Sequence, residues 1–385
     1  MKHVFIVGSN GIPAAYGGFE TFVEQLTSHK QSPQIKYHIS CLSDENKEFE
    51  YNDAHCFAIK VPNLGPATAN YYDVISLNYC CNYIAANKIE QAIVYVLGAG
   101  IGPMFGYYRK KLHRLGTQLF INPDGLEWKR EKWNAIIKQY FKYCEKKVMQ
   151  NADLVICDSK NIEKYMQTEY KEFASKTKFI AYGADIKKTT LTSDLLPVKN
   201  WFTSKKLKEN NYYLVVGRFV PENNYKTILL EFMKSTTQKD LVLITNVERN
   251  SFYNQLQEET HFDQDSRIKF VGTVYDQQLL IYIREHAYGY IHGHEVGGTN
   301  PSLLEALACT NLNLLLDVGF NREVGENGAL YWNKERNSLG QLILQCDSFS
   351  EEEIHLFESK AKSRISDYYN WDNISHIYEQ IFARN

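Results

Sequence analysis

A chain of 385 residues is too long for one ordinary hydrophobic core and points to two domains. With 44% hydrophobic and 23% charged residues it has the balance of a folded soluble protein, which excludes general disorder. The net charge of -2 excludes an overall attraction to nucleic acid, so a charged partner must be met by a local patch.

Met1–Gly8 reads as a strand; its apolar run is too short for a signal peptide and lacks a cleavage site. No stretch approaches the roughly 20 apolar residues that span a bilayer, and the expected location is the cytoplasm. Short apolar runs then alternate with helical periods, the pattern of parallel βα units. Strands are predicted near 2–7, 35–41, 55–61, 92–97, 117–122, 153–157 and 177–181, with helices at 18–29, 69–86, 131–150 and 160–168. The pattern lapses from Gly183 to Asn211 and restarts at Tyr212–Gly217. Further strands are expected near 241–245, 268–271, 288–292 and 312–316, with helices between them. This gives an α/β chain with a first domain over 1–185, a second over 186–360, and a terminal helix over 361–385 packing back on the first. The eight cysteines include no C-x-x-C pair and read as buried thiols of a reducing compartment.

In open parallel sheets ligands bind outside the carboxyl ends of the strands, so the loops just after strands carry the candidates. After the first strand, Gly17 and Gly18 at a helix start can admit a phosphate to backbone N–H groups, or simply make a βα turn. Ile121–Arg130 offers Asp124, Glu127 and the Trp128 platform, equipment for sugar hydroxyls and ring faces, although Pro-Asp-Gly is also a turn sequence. Asp158-Ser159 reads equally as an N-cap or a ligand.

In the second domain, Arg218 directly follows a strand, where a guanidinium fork suits phosphate oxygens. Gly297–Ala306 opens a helix with Asn300 as N-cap and Pro301 at the first helical position. The N–H groups from Gly298 to Ser302 are expected to face a ligand, with Glu305 reaching a sugar hydroxyl. Asp263-Gln264-Asp265 matches D-x-D but sits in a polar segment and reads as a solvated loop. His292 and His294 lack a third ligand at metal spacing, and no metal or cofactor is expected.

Gly217-Arg218 followed by Pro221-Glu222-Asn223 resembles the G-R-x-x-x-E-K motif of retaining family 4 glycosyltransferases, and Gly297–Glu305 resembles their E-x7-E motif. With Gly17–Glu20 and Asp124–Arg130, the pattern is similar to bacterial β-1,4-rhamnosyltransferases of capsule and cell-wall polysaccharide synthesis. The resemblance implies a GT-B fold, two Rossmann-like domains with parallel sheets facing a central cleft. It implies transfer of L-rhamnose from dTDP-L-rhamnose to a lipid-linked saccharide acceptor, with retention and without a metal. Donor contacts implied are Gly17, Gly18, Arg218, Asn223, Lys226, Thr273, Val274, Tyr275, Gly298, Thr299, Asn300, Ser302 and Glu305. Acceptor contacts are Glu20, Asp124, Trp128 and Asp158; Asp124 and Glu127 orient the acceptor and Arg218 steadies the leaving diphosphate.

Two departures stand out. Gly297 occupies the place of the first motif glutamate, which suits a deoxy sugar, and Asn223 replaces the motif lysine, leaving Lys226 nearby. Alternatives are a UDP-hexose transferase and a nucleotide-sugar 2-epimerase of the same architecture; a nicotinamide oxidoreductase would need an absent glycine fingerprint, and a non-catalytic carbohydrate binder is a further rival. Finally, residues 109–148 hold eleven Lys/Arg against four Asp/Glu, interleaved with Trp128, Trp133, Tyr140, Phe141 and Tyr143. That mixture predicts peripheral docking on the anionic inner face of the cell membrane.

Overall fold

The computed structural model describes every residue except Ala15, Tyr16, Glu131, Lys132, Glu248 and Asn385. It divides into two compact units: Met1–Gly183 with Trp371–Asn385, and Ala184–Asn370.

The first unit holds β1 (Lys2–Val7), β2 (Ile35–Ser43), β3 (Lys47–Tyr51), β4 (Ala54–Lys60), β5 (Ile93–Leu97), β6 (Gln118–Asn122), β7 (Leu154–Cys157) and β8 (Thr177–Phe179). They form one sheet in the order β3-β4-β2-β1-β5-β6-β7-β8. Every neighbouring pair is parallel except β3 with β4. The strands are apolar on both faces because both faces are covered. Along β5, Val94 and Val96 share a core with Leu77, Phe105 and Val148. Tyr95 between them faces the other way, toward Phe22, Tyr378 and Phe382. The edge strand β3 lies outside the sequence expectation. A tight turn at Asn52 and Asp53, with φ of 49° and 53°, folds it back on β4, a conformation these residue types tolerate.

The second unit holds β9 (Tyr212–Val216), β10 (Asp240–Ile244), β11 (Ile268–Gly272), β12 (Gly289–His292), β13 (Asn313–Leu316) and β14 (Leu330–Trp332) in the order β11-β10-β9-β12-β13-β14, all parallel. Alternate residues again feed two cores. Tyr213, Val215 and Leu243 enter one. Tyr212, Leu214 and Val242 enter the other. The stretch expected to be irregular contains the helix Leu196–Lys205, which buries Val198 and Phe202 in that second core.

Two boundaries differ from expectation. The helix placed at 131–150 runs from Ala135 to Asn151, because the Asn134 side chain accepts from Ile137 N and caps it; residues 131 and 132 lie outside the described set. Residues 361–370, assigned to the terminal helix, stay with the second unit. A side chain at Gly328 would meet Ala361 Cα at 2.7 Å, and Arg364 donates to Glu323 O at 3.0 Å. The helix Trp371–Arg384 belongs to the first unit, where the Glu379 carboxylate accepts from Gln31 N and Ser32 N at 2.8 and 2.9 Å.

A ladder of histidines crosses the first sheet. Glu48 sits 3.1 Å from His55 Nε2, so that nitrogen donates and His55 Nδ1 is left to accept. His38 Nδ1 then donates to it at 2.9 Å, and His3 Nδ1 donates to His38 Nε2 at 2.8 Å. His38, with one nitrogen donating and the other accepting, is thereby set neutral. Burial first, then His55, His3 and Lys36, pushes His38 down to about 3. The unfolded chain therefore takes up a proton near the ordinary value and the folded one only far below it. Stability should be flat above about pH 6.5 and fall below it, by up to about 1.4 kcal/mol per pH unit for this group. Melting temperatures from pH 8 to 4.5 check this. His38→Phe, which keeps the stack on Phe5 (centroids 4.2 Å apart), should flatten the profile.

Candidate functional site

Strand order reverses between β9 and β12, with β10 and β11 on one side and β13 and β14 on the other. The helix after β9, Tyr225–Lys234, packs Ile228 and Phe232 into one core, and the helix after β12, Pro301–Cys309, packs Ala306 into the other. The segments leaving these adjacent strand ends thus part to opposite faces, which opens a crevice at the switch point.

Arg218 stands on one lip, exposed, with no ion pair among the described residues. Its carbonyl accepts from Asn223 Nδ2 at 2.6 Å, while Asn223 Oδ1 lies 2.9 Å from His294 Nδ1 on the other lip. The loop from Gly293 is drawn close at Glu295, whose N–H donates to Glu222 O at 3.1 Å. Gly297 has φ of 149°, a backbone that side chains rarely adopt. The N–H groups of Val296, Gly297, Gly298 and Asn300 meet no acceptor among the described residues. That of Ser302, expected to face a ligand, does not: the Asn300 side chain takes it at 2.9 Å, and takes that of Leu303 at 3.3 Å. Thr299 is buried. Anion-binding capacity therefore lies in the loop before the helix.

Glu305 is partly exposed and pairs through Oε2 with Arg284 Nη2 at 2.6 Å. Arg284, missed by sequence reasoning, is buried at 2% exposure on the apolar side of the helix Gln277–Glu285. One signal was present: an arginine in phase with Leu280, Ile283 and Ala287. His292 is also buried, and burial pushes it down to about 3. Lys226, its side chain 54% exposed, pairs with Glu259 at 2.8 Å. Glu295 is held by Asn224 Nδ2 at 3.0 Å and by Lys334. Thr273, Val274 and Tyr275 follow β11, two strands from β9, with Tyr275 71% exposed. In the D-x-D segment, Arg267 at 2.6 Å draws Asp265 below the usual carboxylate range.

The first sheet reverses between β1 and β5, and the Gly8–Gly18 loop leaves β1 there. A Cβ at Gly8 (φ 97°) would lie 2.2 Å from Leu97 O, so only glycine fits. Glu20 is buried and accepts from Asn10 N at 2.6 Å, bracing this loop rather than standing open to an acceptor. Gly17 caps the helix Gly18–Ser28, and Gly18 faces open space. Beyond β6, Asp124 is half-buried with φ of 64°, and its Oδ1 accepts from Gly125 N at 2.7 Å. Glu127 is engaged by Trp133 Nε1 at 2.8 Å and by Arg130. Trp128 donates to Glu145 at 3.2 Å beneath Lys142. Asp158 is buried at 4%; its field contributes, after burial, to raising Tyr95, Tyr182 and Tyr378. Ser159, not Asp158, caps the following helix by accepting from Asn161 N. Of the four carboxylates, Glu20 and Glu127 are tied into the frame and Asp158 is buried, while Asp124 is half-buried.

No group of described residues could hold a metal ion, and no described helix is long and apolar enough to cross a membrane.

The architecture is the GT-B fold, two Rossmann-like α/β domains. A sucrose-phosphate synthase from Thermosynechococcus elongatus is similar in structure, with TM-score 0.78, 17% identity and 100% of each chain covered. HepE of Anabaena in complex with UDP is similar at TM-score 0.71 and 14% identity, again with 100% of each chain covered. A trehalose-6-phosphate structure from E. coli bound with UDP-2-fluoro glucose is similar at TM-score 0.74 and 10% identity, over 100% of this chain and 99% of that one. Residues 1–185 match a family model described as a domain of unknown function, DUF1972. No curated protein sequence matches the chain.

The Asn300 cap makes a measurable demand on stability. Asn300→Ala should cost about 1 kcal/mol in chemical denaturation, because two helix-end N–H groups lose their acceptor. Asn300→Asp should retain most of it.

Proposed function

We propose that this chain is a glycosyltransferase that takes its nucleotide-sugar donor at the β9/β12 switch point and its acceptor beside Asp124. The observation that carries the reading is the gathering there of Arg218 and the N–H groups of Val296, Gly297, Gly298 and Asn300, which meet no partner among the described residues. Arg218 and the N–H groups of Val296, Gly297, Gly298 and Asn300 are suited to the charge that develops on a departing diphosphate. In this reading no metal is needed, and the leaving phosphate oxygen takes the acceptor proton with retention at the sugar. The donor is dTDP-L-rhamnose and the acceptor a lipid-linked saccharide of capsule or cell-wall synthesis. Two features support that donor. Gly297 brings no carboxylate to the place where the sugar would lie in this reading, and a side chain there would meet His294 Nε2 at 2.9 Å. Glu305, with Oε2 on Arg284, keeps Oε1 for one ring hydroxyl, which a 2′-deoxyribose still supplies. A UDP-hexose donor is the second reading, favoured by the UDP and UDP-2-fluoro glucose bound in two similar structures.

Calorimetric titration with dTDP-L-rhamnose, UDP-glucose and UDP-N-acetylglucosamine tests the choice. The rhamnose donor should bind most tightly, and preference for a UDP-hexose would replace the first reading by the second. Arg218→Ala should fold normally yet weaken nucleoside diphosphate binding by about 1.5–3 kcal/mol, the worth of a charge-assisted contact. Equal binding by the variant would move the donor site elsewhere.

The same reading places the first domain against an anionic membrane. Helices Gly102–His113 and Ala135–Asn151 lie close enough that a side chain at Gly102 would meet Cys144 Cα at 2.4 Å. They expose Met104, Tyr107, Ile136, Tyr140 and Tyr143. Lys110, Arg114, Lys138 and Lys146 form no ion pair among the described residues, whereas Arg109 pairs with Asp153 and Lys142 with Glu145 and Glu169. The usable charge is therefore smaller than the sequence count, and the apolar contribution larger, because Ile136 is 79% exposed. Trp128 and Trp133 are half-buried, and their ring N–H groups are taken by Glu145 and Glu127. Co-sedimentation should rise with the anionic fraction of phosphatidylglycerol vesicles and weaken with salt. Ile136→Ser with Tyr143→Ser should reduce it at every salt concentration.

A further inference from the structure

We infer that Arg284 is a positioning residue for Glu305, holding its carboxylate so that Oε1 accepts the 3′-hydroxyl of a bound nucleotide. The inference rests on the nucleotide reading of the β9/β12 crevice.

Arg284 lies in the interior, its side chain 3% exposed, and its only carboxylate partner among the described residues is Glu305. One nitrogen, Nη2, serves two acceptors: Glu305 Oε2 at 2.6 Å and Ser302 Oγ at 3.2 Å. Ser302 Oγ is in turn 3.4 Å from Val216 O, the last residue of β9 before Gly217-Arg218. The arginine backbone is fixed as well, since Thr310 Oγ1 donates to Arg284 O at 3.2 Å. A single rigid fork thus ties Glu305 to the strand end that bears the exposed arginine.

A long, partly exposed glutamate otherwise samples several rotamers and loses that freedom on binding. Pinning Oε2 removes the loss beforehand and leaves Oε1, which takes no hydrogen bond among the described residues. The core itself does not need the charge. Leu280, Ile283 and Ala287 surround this helix face, and an apolar side chain of similar length would pack there without a buried ion pair. A guanidinium kept at such a place is explained by the carboxylate it orients.

The test compares two probes, deoxythymidine diphosphate and 2′,3′-dideoxythymidine diphosphate, by calorimetric titration of the full chain. The parent should bind the first about tenfold or more tightly than the second, the worth of one hydrogen bond to a charged group. Arg284→Met should bring the two within about twofold of each other while leaving the dideoxy affinity near the parent value. Arg284→Lys, which keeps the cation but not the fork, should fall between and carries the test if the methionine variant does not fold. A structural role would lower both affinities together or neither, so a ratio equal to the parent's in either folded variant overturns the inference alone. If the parent prefers UDP, UDP with 3′-deoxyuridine diphosphate forms the same comparison. Failure of the parent to bind any of these nucleotides strikes the nucleotide reading itself and removes this inference with it.

Discussion

A parallel sheet whose strand order reverses has two adjacent strands whose following helices leave to opposite faces, and the gap between them cannot be filled by either connection. Both units of this chain are built on that constraint, at β1/β5 and at β9/β12. The helix after β1 brings Phe22 against Tyr95 on one face, and the helix after β5 buries Phe105 on the other. In the second unit the same divergence separates Tyr225–Lys234 from Pro301–Cys309. Everything chemically noteworthy in the second unit then follows from what the chain places on the two lips.

Loops at such crevices expose backbone N–H groups that must be satisfied or left for a ligand. The two units handle this differently. In the first, carboxylates close the account: Glu20 takes Asn10 N, and Glu24 takes Ala14 N at 2.9 Å while also accepting from Tyr51. In the second, Asn300 satisfies only the helix end, and the loop ahead of it is left open. The carboxylate of that loop, Glu295, is held by Asn224 and Lys334, and Gly297 adds none. The contrast leaves open backbone donors at the second crevice and a braced loop after β1 at the first.

Much of this was legible in the sequence, for definite reasons. Apolar runs such as Val4–Val7 and Leu241–Ile244 are strands because sheets covered on both faces need no alternation. Arg218, Gly297 and Asn300 stood out because loops after strands are where ligands sit in such folds. What the sequence hid was pairing. Glu127 and Trp128 look like free sugar ligands until Trp133, Arg130 and Glu145 are found on them. Lys226 looks like a phosphate ligand until Glu259, thirty-three positions away, takes its charge. The strand Lys47–Tyr51 was passed over because a charged edge strand lacks the apolar run by which its neighbours were found.

With Lys226 paired to Glu259, the charge balance of the proposed donor site changes. A nucleoside diphosphate carries more than one negative charge, and Arg218 is the cation at the lip; the remaining attraction must come from fixed backbone dipoles. Dipoles held in place before the reaction need no reorganisation as charge develops, so they favour the departing diphosphate over the intact donor more than a mobile lysine would. A cation on a flexible stem strengthens both states alike and slows product departure. The replacement of the motif lysine by Asn223 follows the same logic. Its amide is used to hold the Arg218 carbonyl and the His294 ring, which fixes the two lips relative to each other. The position has exchanged a charge for rigidity, and the loop of unpaired N–H groups is where that rigidity acts.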